Sequence, residues 1–584
     1  MQNNEIAAIF DKVAILLRIS EDNEFHARAY ENAARIVRGS GESFTQMVEG
    51  EIDLAEKYRG IGKGISDHIK EIVQTGKLKK LEKLSQKVPL TLIEITKIRG
   101  VGPKTVNRIW KKADITTVDQ LETAAKNGGL RTIGGIGKKT EQNILEGIQK
   151  YRNWKNRLLL SDADAIAEDL TEFLKRNAKI QQFEMVGSYR RRKDTVGDLD
   201  VLVTATSAPE VMKYFTTWNR IEKVDSAGKT KASAVLKNNF RVDLRIIEPK
   251  NFGAALLYFT GSKAHNIHLR SLALVENFTL SEYGVFKKPT GISSSEARKE
   301  ENWIAGRDEA EIYTLLDMDW IPPELREDRG EITASKNHAL PKLISFDQIQ
   351  GDLQMHTSYT DGNNTIEEMI QQAIELGYAY IAITDHSKSM AMTGGMDERK
   401  LDKQIQKIDS LNEIYKNITV LKGMEVDIKK DGTLDLSNSV LDKLDVVLAS
   451  IHTHLTLPIS EQTQRVIKAI DGTPVNILSH PTNRIINERN PSEIEFEKIF
   501  EVAQKNQVAI ECNAQPHRLD LNAINLKRSK EYKVKIAINT DAHTRGQLRY
   551  MKYGINQARR GWIESQDVIN SWDIAKLKQF LRKK

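Results

Sequence analysis

Between Phe346 and the C-terminus, short apolar runs recur near 349–353, 378–383, 418–424, 445–451, 475–479, 507–512 and 534–539. Helical stretches lie between several of them; in 366–376, Ile366, Met369, Ile370 and Ala373 fall on one helical face. Strands alternating with helices imply a parallel sheet, here closed as a barrel. The runs share a second property. His356 follows IQGDLQ, His386 ends AYIAITDH, Glu425 ends VLKGME, His452 ends DVVLASIH, His480 ends VNILSH, and Asp541 and His543 end KIAINTDAH. In a β/α barrel the C-terminal strand ends gather at one face, where active sites lie. One histidine at a strand end is ordinarily structural. Repeated from strand to strand, with carboxylates among them, the pattern is a metal site suited to Mn²⁺, Zn²⁺ or Fe²⁺, able to activate water against a phosphodiester.

A different chemistry is written in GSYRRRKDTVGDLDVLV, Gly187 to Val203. Asp198 and Asp200 are two apart on an apolar strand and so project from one face. They can share hard divalent cations while Val201 and Val203 face the core. Two metals held this way stabilise the attacking and leaving oxygens of a phosphoryl displacement. The Gly187-Ser188 turn offers backbone N–H groups and a hydroxyl to a triphosphate. A third carboxylate comes from the strand FRVDLRI, in which Arg241, Asp243 and Arg245 point away from Val242, Leu244 and Ile246. Taken alone, Asp243 between two arginines reads as a surface ion-pair ladder; beside Asp198 and Asp200 it reads as the third metal ligand.

Residues 1 to about 150 look helical and contain three similar turns: YRGIGKG (58–64), IRGVGPK (98–104) and IGGIGKK (133–139). Each is a G-x-G hairpin between helical patterns, followed by lysine. Such a turn exposes backbone N–H groups at a helix N-terminus, where a phosphate can sit without any base being read. One glycine between helices is usually only a C-cap. Three such turns point to sequence-independent binding of the DNA backbone, through Gly60, Gly62 and Gly64, then Gly100, Gly102 and Lys104.

At 584 residues the chain is too long for one core. Its net charge of +7 suits a polyanionic partner. A single cysteine, Cys512, excludes an intramolecular disulfide and points to a reducing compartment; it reads as a buried strand residue rather than a ligand. The N-terminus reads as an amphipathic helix, not a signal peptide. No membrane association is expected, and the location read from these features is cytoplasmic.

GSYRRR…GDLDVLV, RVDLR and YFTGSKAHNIHLR (258–270), in this order, resemble the family X DNA polymerases of the DNA polymerase beta type. GDLQMHTSYTDG, ITDHS, GMEVDI, ASIH, LSHPTNR and NTDAH resemble the polymerase and histidinol phosphatase (PHP) domain. The whole chain is similar to a bacterial family X polymerase with that domain fused behind it. The resemblance implies a multidomain protein. It would have a lyase-like helical domain with the first helix-hairpin-helix (1–88) and fingers with the further ones (89–152). An α+β nucleotidyltransferase palm (153–250) and a thumb (251–330) would follow. A linker (331–345), polar and without period, would lead to a distorted (β/α)7 barrel of PHP type (346–584).

Carried over residue by residue, Asp198, Asp200 and Asp243 would bind two Mg²⁺ or Mn²⁺, and Asp243 would help activate the primer 3′-hydroxyl. Gly187, Ser188 and Arg191 would hold the deoxynucleoside triphosphate. Tyr258, Phe259 and Gly261 would pack on its sugar, and Asn266 and Arg270 would contact the nascent pair. His265 and His268 have no role and read as surface histidines. In the barrel, His356, Asp361, His386, Glu425, His452, His480, Asp541 and His543 would ligate up to three Mn²⁺ or Zn²⁺ for 3′–5′ exonuclease activity. Gln354 stands where the PHP pattern has its first histidine, which leaves the metal count open; His454 and His517 match less well. His68 stands where lyase-active relatives carry a Schiff-base lysine, and histidine cannot form that adduct. Binding of a DNA 5′-phosphate is implied; the lyase step is not, unless Lys63, Lys70 or Lys80 substitutes weakly. The activity implied is filling of short gaps in DNA repair by a monomer acting on gapped or nicked DNA. Two rivals remain: a polymerase whose barrel is a small-molecule phosphatase, and a non-catalytic scaffold that binds DNA ends.

Overall fold

The structure is a computed structural model that describes residues 1, 3–20, 24–39, 43–58, 60–98, 100–154, 157–390 and 393–582. Its N-terminal part is helical. A single cluster of buried apolar side chains runs from Ile6 to Tyr151, across the 88/89 boundary expected from the sequence. Each glycine hairpin opens a helix: Lys63–Thr75, Pro103–Ala113 and Lys138–Trp154. The division of labour between the glycines is visible. Gly60, Gly100 and Gly135 have φ of +96°, +83° and +86°, a region that L side chains rarely adopt. Gly62 and Gly102 are the N-cap residues, with negative φ, and a Cβ built there meets nothing within 4 Å. Among the described residues nothing crowds a side chain at those two positions, so glycine there keeps the approach to the helix N-termini clear.

The next unit is a five-stranded mixed sheet in the order Ile180–Met185, Asp198–Ala205, Arg241–Ile246, Lys231–Leu236, Ile221–Ala227. Only the second and third strands of that order run parallel. Val201, Val203, Val242 and Leu244 are fully buried between this sheet and the helix Leu160–Lys175. A three-stranded antiparallel sheet (Phe278–Ser281, Gly284–Lys287, Trp303–Ala305) follows, flanked by the helices Phe252–Thr260 and Lys263–Val275.

The stretch expected as a linker is folded. Residues Glu331–Lys336 form a helix whose Glu331, Ile332 and Ser335 are buried. Glu331 accepts from the amides of Asp328 and Arg329 and sits 2.7 Å from His265 Nδ1, while Tyr313 Oη lies 3.1 Å from His265 Nε2. His265 is therefore not a surface histidine: it is fully buried and ties the helix after the thumb to the thumb's own core. Its partner lies 66 residues away, which is why a polar, aperiodic sequence read as a spacer. His268 is half-exposed against Asp328.

From Gly351 onward seven strands pair in sequence order, all parallel: Gly351–Asp352, Tyr380–Ile383, Thr419–Asp427, Val446–Ser450, Ile477–Leu478, Ala509–Asn513 and Ile536–Asn539. A parallel bridge between Met355 and Ala542, in which the His356 amide donates to Ala542 O at 2.7 Å, joins the last strand's end to the first. All seven correspond to the apolar runs of the sequence. Cys512 is a fully buried residue of the sixth strand. Among the described residues no helix is long and apolar enough to cross a membrane.

The barrel and the sheet unit share a core: Leu519 and Tyr553 pack into the palm's apolar cluster. The three consecutive arginines of GSYRRR are each held by a different part of the chain. Arg190 pairs with Glu309 at 2.7 Å, Arg191 with Glu327 at 3.1 Å, and Arg192 with Asp164 at 3.6 Å. Glu309 also takes the fully buried Arg326 at 2.6 Å and the indole N–H of Trp320 at 3.0 Å. Burial alone would raise its pKa, but the two guanidiniums pull it down to about 2. Breaking a buried ion cluster by removing one member leaves the others uncompensated. Glu309→Ala is expected to cost about 3–5 kcal/mol, read as a fall in the urea midpoint of the sheet-unit transition.

Two candidate metal centres

The first centre follows from strand register. In the parallel pairing of Asp198–Ala205 with Arg241–Ile246, Asp200 lies directly opposite Asp243, and Asp198 opposite Arg241. Asp198 and Asp200 share a face with Asp243 because side chains alternate along each strand. Burial, then the charges of Asp198 and Asp243, push the Asp200 carboxyl up to about 6. Asp243 accepts a weak ion pair from Lys231 at 3.4 Å through Oδ2, while its buried Oδ1 has no hydrogen-bond donor. Three carboxylates on one face, with one buried oxygen unmatched, form an arrangement that a divalent cation completes. Gly187, at φ +65°, opens a short helical turn beside the centre; a Cβ there would come within 3.2 Å of Asp200 Oδ2.

The other residues expected around the triphosphate are brought near, though not all are free to reach it. Arg191 Nε is engaged by Glu327, and its Nη1 donates to Thr260 O. Asn266 Nδ2 donates to Tyr258 O at 2.7 Å. Tyr258 and Phe259 meet edge to face with ring centres 5.1 Å apart, and Arg245 lies over the Phe259 ring at 4.5 Å. Tyr258, Asn266 and Arg270 line one small pocket with Ala254, Leu257 and Leu280.

The second centre lies at the C-terminal ends of the barrel strands, and Glu425 is its middle. Its Oε1 is 2.9 Å from His480 Nε2 and 3.4 Å from His452 Nε2; its Oε2 is 3.3 Å from both His356 Nε2 and His386 Nδ1. Three groups can each hold an ion: His356, Asp361, His386 and His543; His386, Glu425 and His452; His356, Glu425 and Asp541. His480 joins through Glu425 rather than as a member of any one group. Burial raises the Glu425 and Asp361 carboxyls, but the surrounding imidazoles overturn this and hold both well below the usual range. Nδ1 of His356 and of His480 is buried without a hydrogen-bond partner. Imidazole nitrogens converging on buried carboxylates, with orphaned ring nitrogens, fit divalent transition metals.

Residues that the sequence did not single out support this cluster. Asp427, at 2.9 Å, accepts the Nδ1 proton of His452 and leaves Nε2 to face Glu425, the outer partner that fixes a ligating tautomer. Asp385 is fully buried. It accepts from the Thr357 amide and hydroxyl, from Thr360 and from Gln404, and so fixes the turn between His356 and Asp361. Both lie inside quoted motifs, ITDHS and GMEVDI, beside the ligand-type residue that drew attention. Gln354 belongs to none of the metal groups. Its amide lies against Ser479 and Glu511, and burial with the nearby Asp541 charge pushes Glu511 up to about 8. A neutral polar cluster thus fills the place of the first histidine.

With both centres in view, comparison with known proteins is decisive. The chain is 34% identical over its full length to the full length of "DNA polymerase/3'-5' exonuclease PolX" of Bacillus subtilis (strain 168). It belongs to the family X DNA polymerases that carry a C-terminal PHP domain. Family models match a helix-hairpin-helix domain at 1–78, a SAM-like helix-hairpin-helix tandem at 92–150, the DNA polymerase beta palm at 160–254, its thumb at 255–327 and the PHP domain at 352–515. Across 56% of this family X chain, DNA polymerase lambda of Arabidopsis thaliana is 24% identical, with 62% of that protein covered. The "Probable phosphatase" of Thermoanaerobacter sp. (strain X514) is 29% identical over 40% of the chain and 94% of its own length.

Two outcomes are expected. Glu425→Gln removes the charge that four imidazoles share and that two of the three groups use, so divalent metal retained by the barrel after dialysis, measured by mass spectrometry, falls to what the His356, Asp361, His386 and His543 group alone can hold. In that background, the palm's Mn²⁺ affinity read by electron paramagnetic resonance depends on pH through Asp200. Its pKa is raised, so below about 6 a proton must be displaced and affinity falls about tenfold per unit, levelling off above 7.

Proposed function

We propose that this family X polymerase fills short gaps by adding deoxynucleotides to a primer, and that its barrel removes nucleotides from 3′ ends. What supports the reading is a relative named for both activities, 34% identical over the full length, together with Asp200 paired opposite Asp243 in the palm and three groups that could hold an ion in the barrel. In the palm, Asp198, Asp200 and Asp243 would hold two Mg²⁺ or Mn²⁺, which stabilise charge on the attacking and leaving oxygens. Asp243, whose buried Oδ1 is unmatched, would help activate the primer 3′-hydroxyl. Gly187 and Ser188 line the triphosphate, and Arg191 reaches it after leaving Glu327. Tyr258, Phe259 and Gly261 lie against the sugar; Asn266 and Arg270 face the base pair. In the barrel, His356, Asp361, His386, Glu425, His452, His480, Asp541 and His543 would hold Mn²⁺ or Zn²⁺, which supply a hydroxide for phosphodiester cleavage. Asp427 and Asp385 keep those imidazoles and carboxylates oriented.

The DNA backbone lies across the helix N-termini at Gly62 and Gly102, where no Cβ intrudes. Gapped or nicked DNA is the preferred form, bound by a monomer without regard to sequence. At the lyase-like surface His68 accepts no sugar aldehyde; its Nδ1 is 3.1 Å from Tyr30 Oη.

The test uses a 5′-labelled primer at a one-nucleotide gap with a downstream 5′-phosphate, and Mn²⁺ with or without deoxynucleotides. Asp198→Ala/Asp200→Ala is expected to abolish extension and spare shortening; His386→Ala is expected to do the reverse. Cleavage of p-nitrophenyl phosphate by a barrel that leaves the primer intact would favour the phosphatase, for which the Thermoanaerobacter relative speaks. Unchanged primer under every condition, with DNA still bound, would leave only a scaffold.

A further inference from the structure

Among its contacts with the polymerase half, the barrel domain reaches the turn that carries Arg191. Arg560, the last residue of the barrel helix Met551–Arg560, is almost fully buried. Its Nη1 donates to the backbone carbonyl of Arg191 at 2.6 Å and lies 3.2 Å from Glu327 Oε1. That same Oε1 accepts from Arg191 Nε. One carboxylate, only 12% exposed, is thus shared by two guanidiniums, one from the palm and one from the barrel. The other end of the helix braces the same turn: Lys552 pairs at 3.0 Å with Asp164, which takes the Tyr189 hydroxyl at 2.8 Å.

The sharing has a functional meaning if Arg191 binds the triphosphate, and the inference rests on that reading. Arg191 cannot grip Glu327 and a phosphate with the same guanidinium. When it leaves, a carboxylate buried beside it would lose its cation, a costly event unless another cation stays. Arg560 stays. It also fixes the Arg191 carbonyl, so the backbone does not follow the departing side chain.

We propose that Arg560 of the barrel domain is a positioning residue for the polymerase. It keeps Glu327 compensated and the Arg191 backbone in place, so that the Arg191 guanidinium can be handed from Glu327 to the incoming triphosphate. Without Arg560, Glu327 has Arg191 as its main partner and competes harder for it. Deoxynucleotide affinity falls, while the chemistry at Asp198, Asp200 and Asp243 and the barrel's own metal centre are untouched.

The experiment is steady-state extension of the gapped primer by the full chain, with primer shortening and thermal unfolding measured in parallel. Arg560→Met, close in volume, is expected to raise KM for deoxynucleotide about tenfold, as loss of one charge-assisted hydrogen bond would, with kcat changed less than threefold and shortening unchanged. Arg560→Lys recovers part of the loss. The discriminating variant is Arg560→Met/Glu327→Gln: with the competing carboxylate neutralised, KM returns toward the wild-type value. A merely structural role for Arg560 predicts a double variant at least as impaired as the single. An unchanged KM in Arg560→Met, or no recovery in the double variant, overturns the proposal. Should Arg560→Met fail to fold, Glu327→Gln alone decides: KM below wild type supports the hand-over, and KM unchanged or raised overturns it. Absence of extension by the wild-type chain would instead strike the polymerase reading itself.

Discussion

Parallel strand pairing is the constraint on which both centres depend. In the palm, one parallel pair within an otherwise antiparallel sheet sets Asp200 against Asp243. Slipping that register by one residue would send Asp243 to the apolar face and bring Val242 or Leu244 against the carboxylates. In the barrel, seven parallel strands point their C-terminal ends the same way, so residues scattered from His356 to His543 converge within a few ångströms. Neither centre has a contiguous sequence; strand pairing brings the ligands together, and in the barrel Asp427 and Asp385 then hold them in place.

The price of gathering carboxylates is electrostatic, and the two centres meet it differently. The palm buries Asp200 beside two further carboxylates, and burial, then their charges, raise it. The barrel surrounds Glu425 and Asp361 with imidazoles that hold both carboxyls ionised. Another buried acid, Glu511, is instead pushed toward the neutral form by burial and the nearby Asp541 charge, among amides and a hydroxyl.

What could be read from the sequence was whatever is local. Each barrel strand announces itself by a short apolar run and a ligand-type residue at its end, and each hairpin by G-x-G before a lysine. The carboxylates at 198 and 200 are two residues apart, so one strand suffices to relate them. What escaped is what depends on distant partners. His265 needs Glu331, and Arg190 needs Glu309, 119 residues on. A polar, aperiodic segment at 331–345 gives no sign that its first residue is buried in the thumb. Arg560 and Arg191 are 369 residues apart, and nothing in either neighbourhood points to the other. Asp427 and Asp385 were overlooked for the opposite reason: they sit beside louder residues in the same motifs.

The bridge between Met355 and Ala542 carries a consequence for the order of events during synthesis. A ring of strands paired in sequence order cannot close until its last member leaves the ribosome, whereas the segments that match the palm and thumb end at residue 327. Arg560 emerges some 230 residues after Glu327, which at about 5–20 residues per second is a delay of roughly ten seconds to a minute. Through that interval a nascent polymerase half exists with Arg191 and Lys193 beside Glu327 and without Arg560. Its final fit to a nucleotide is set by the end of the chain rather than by its own translation.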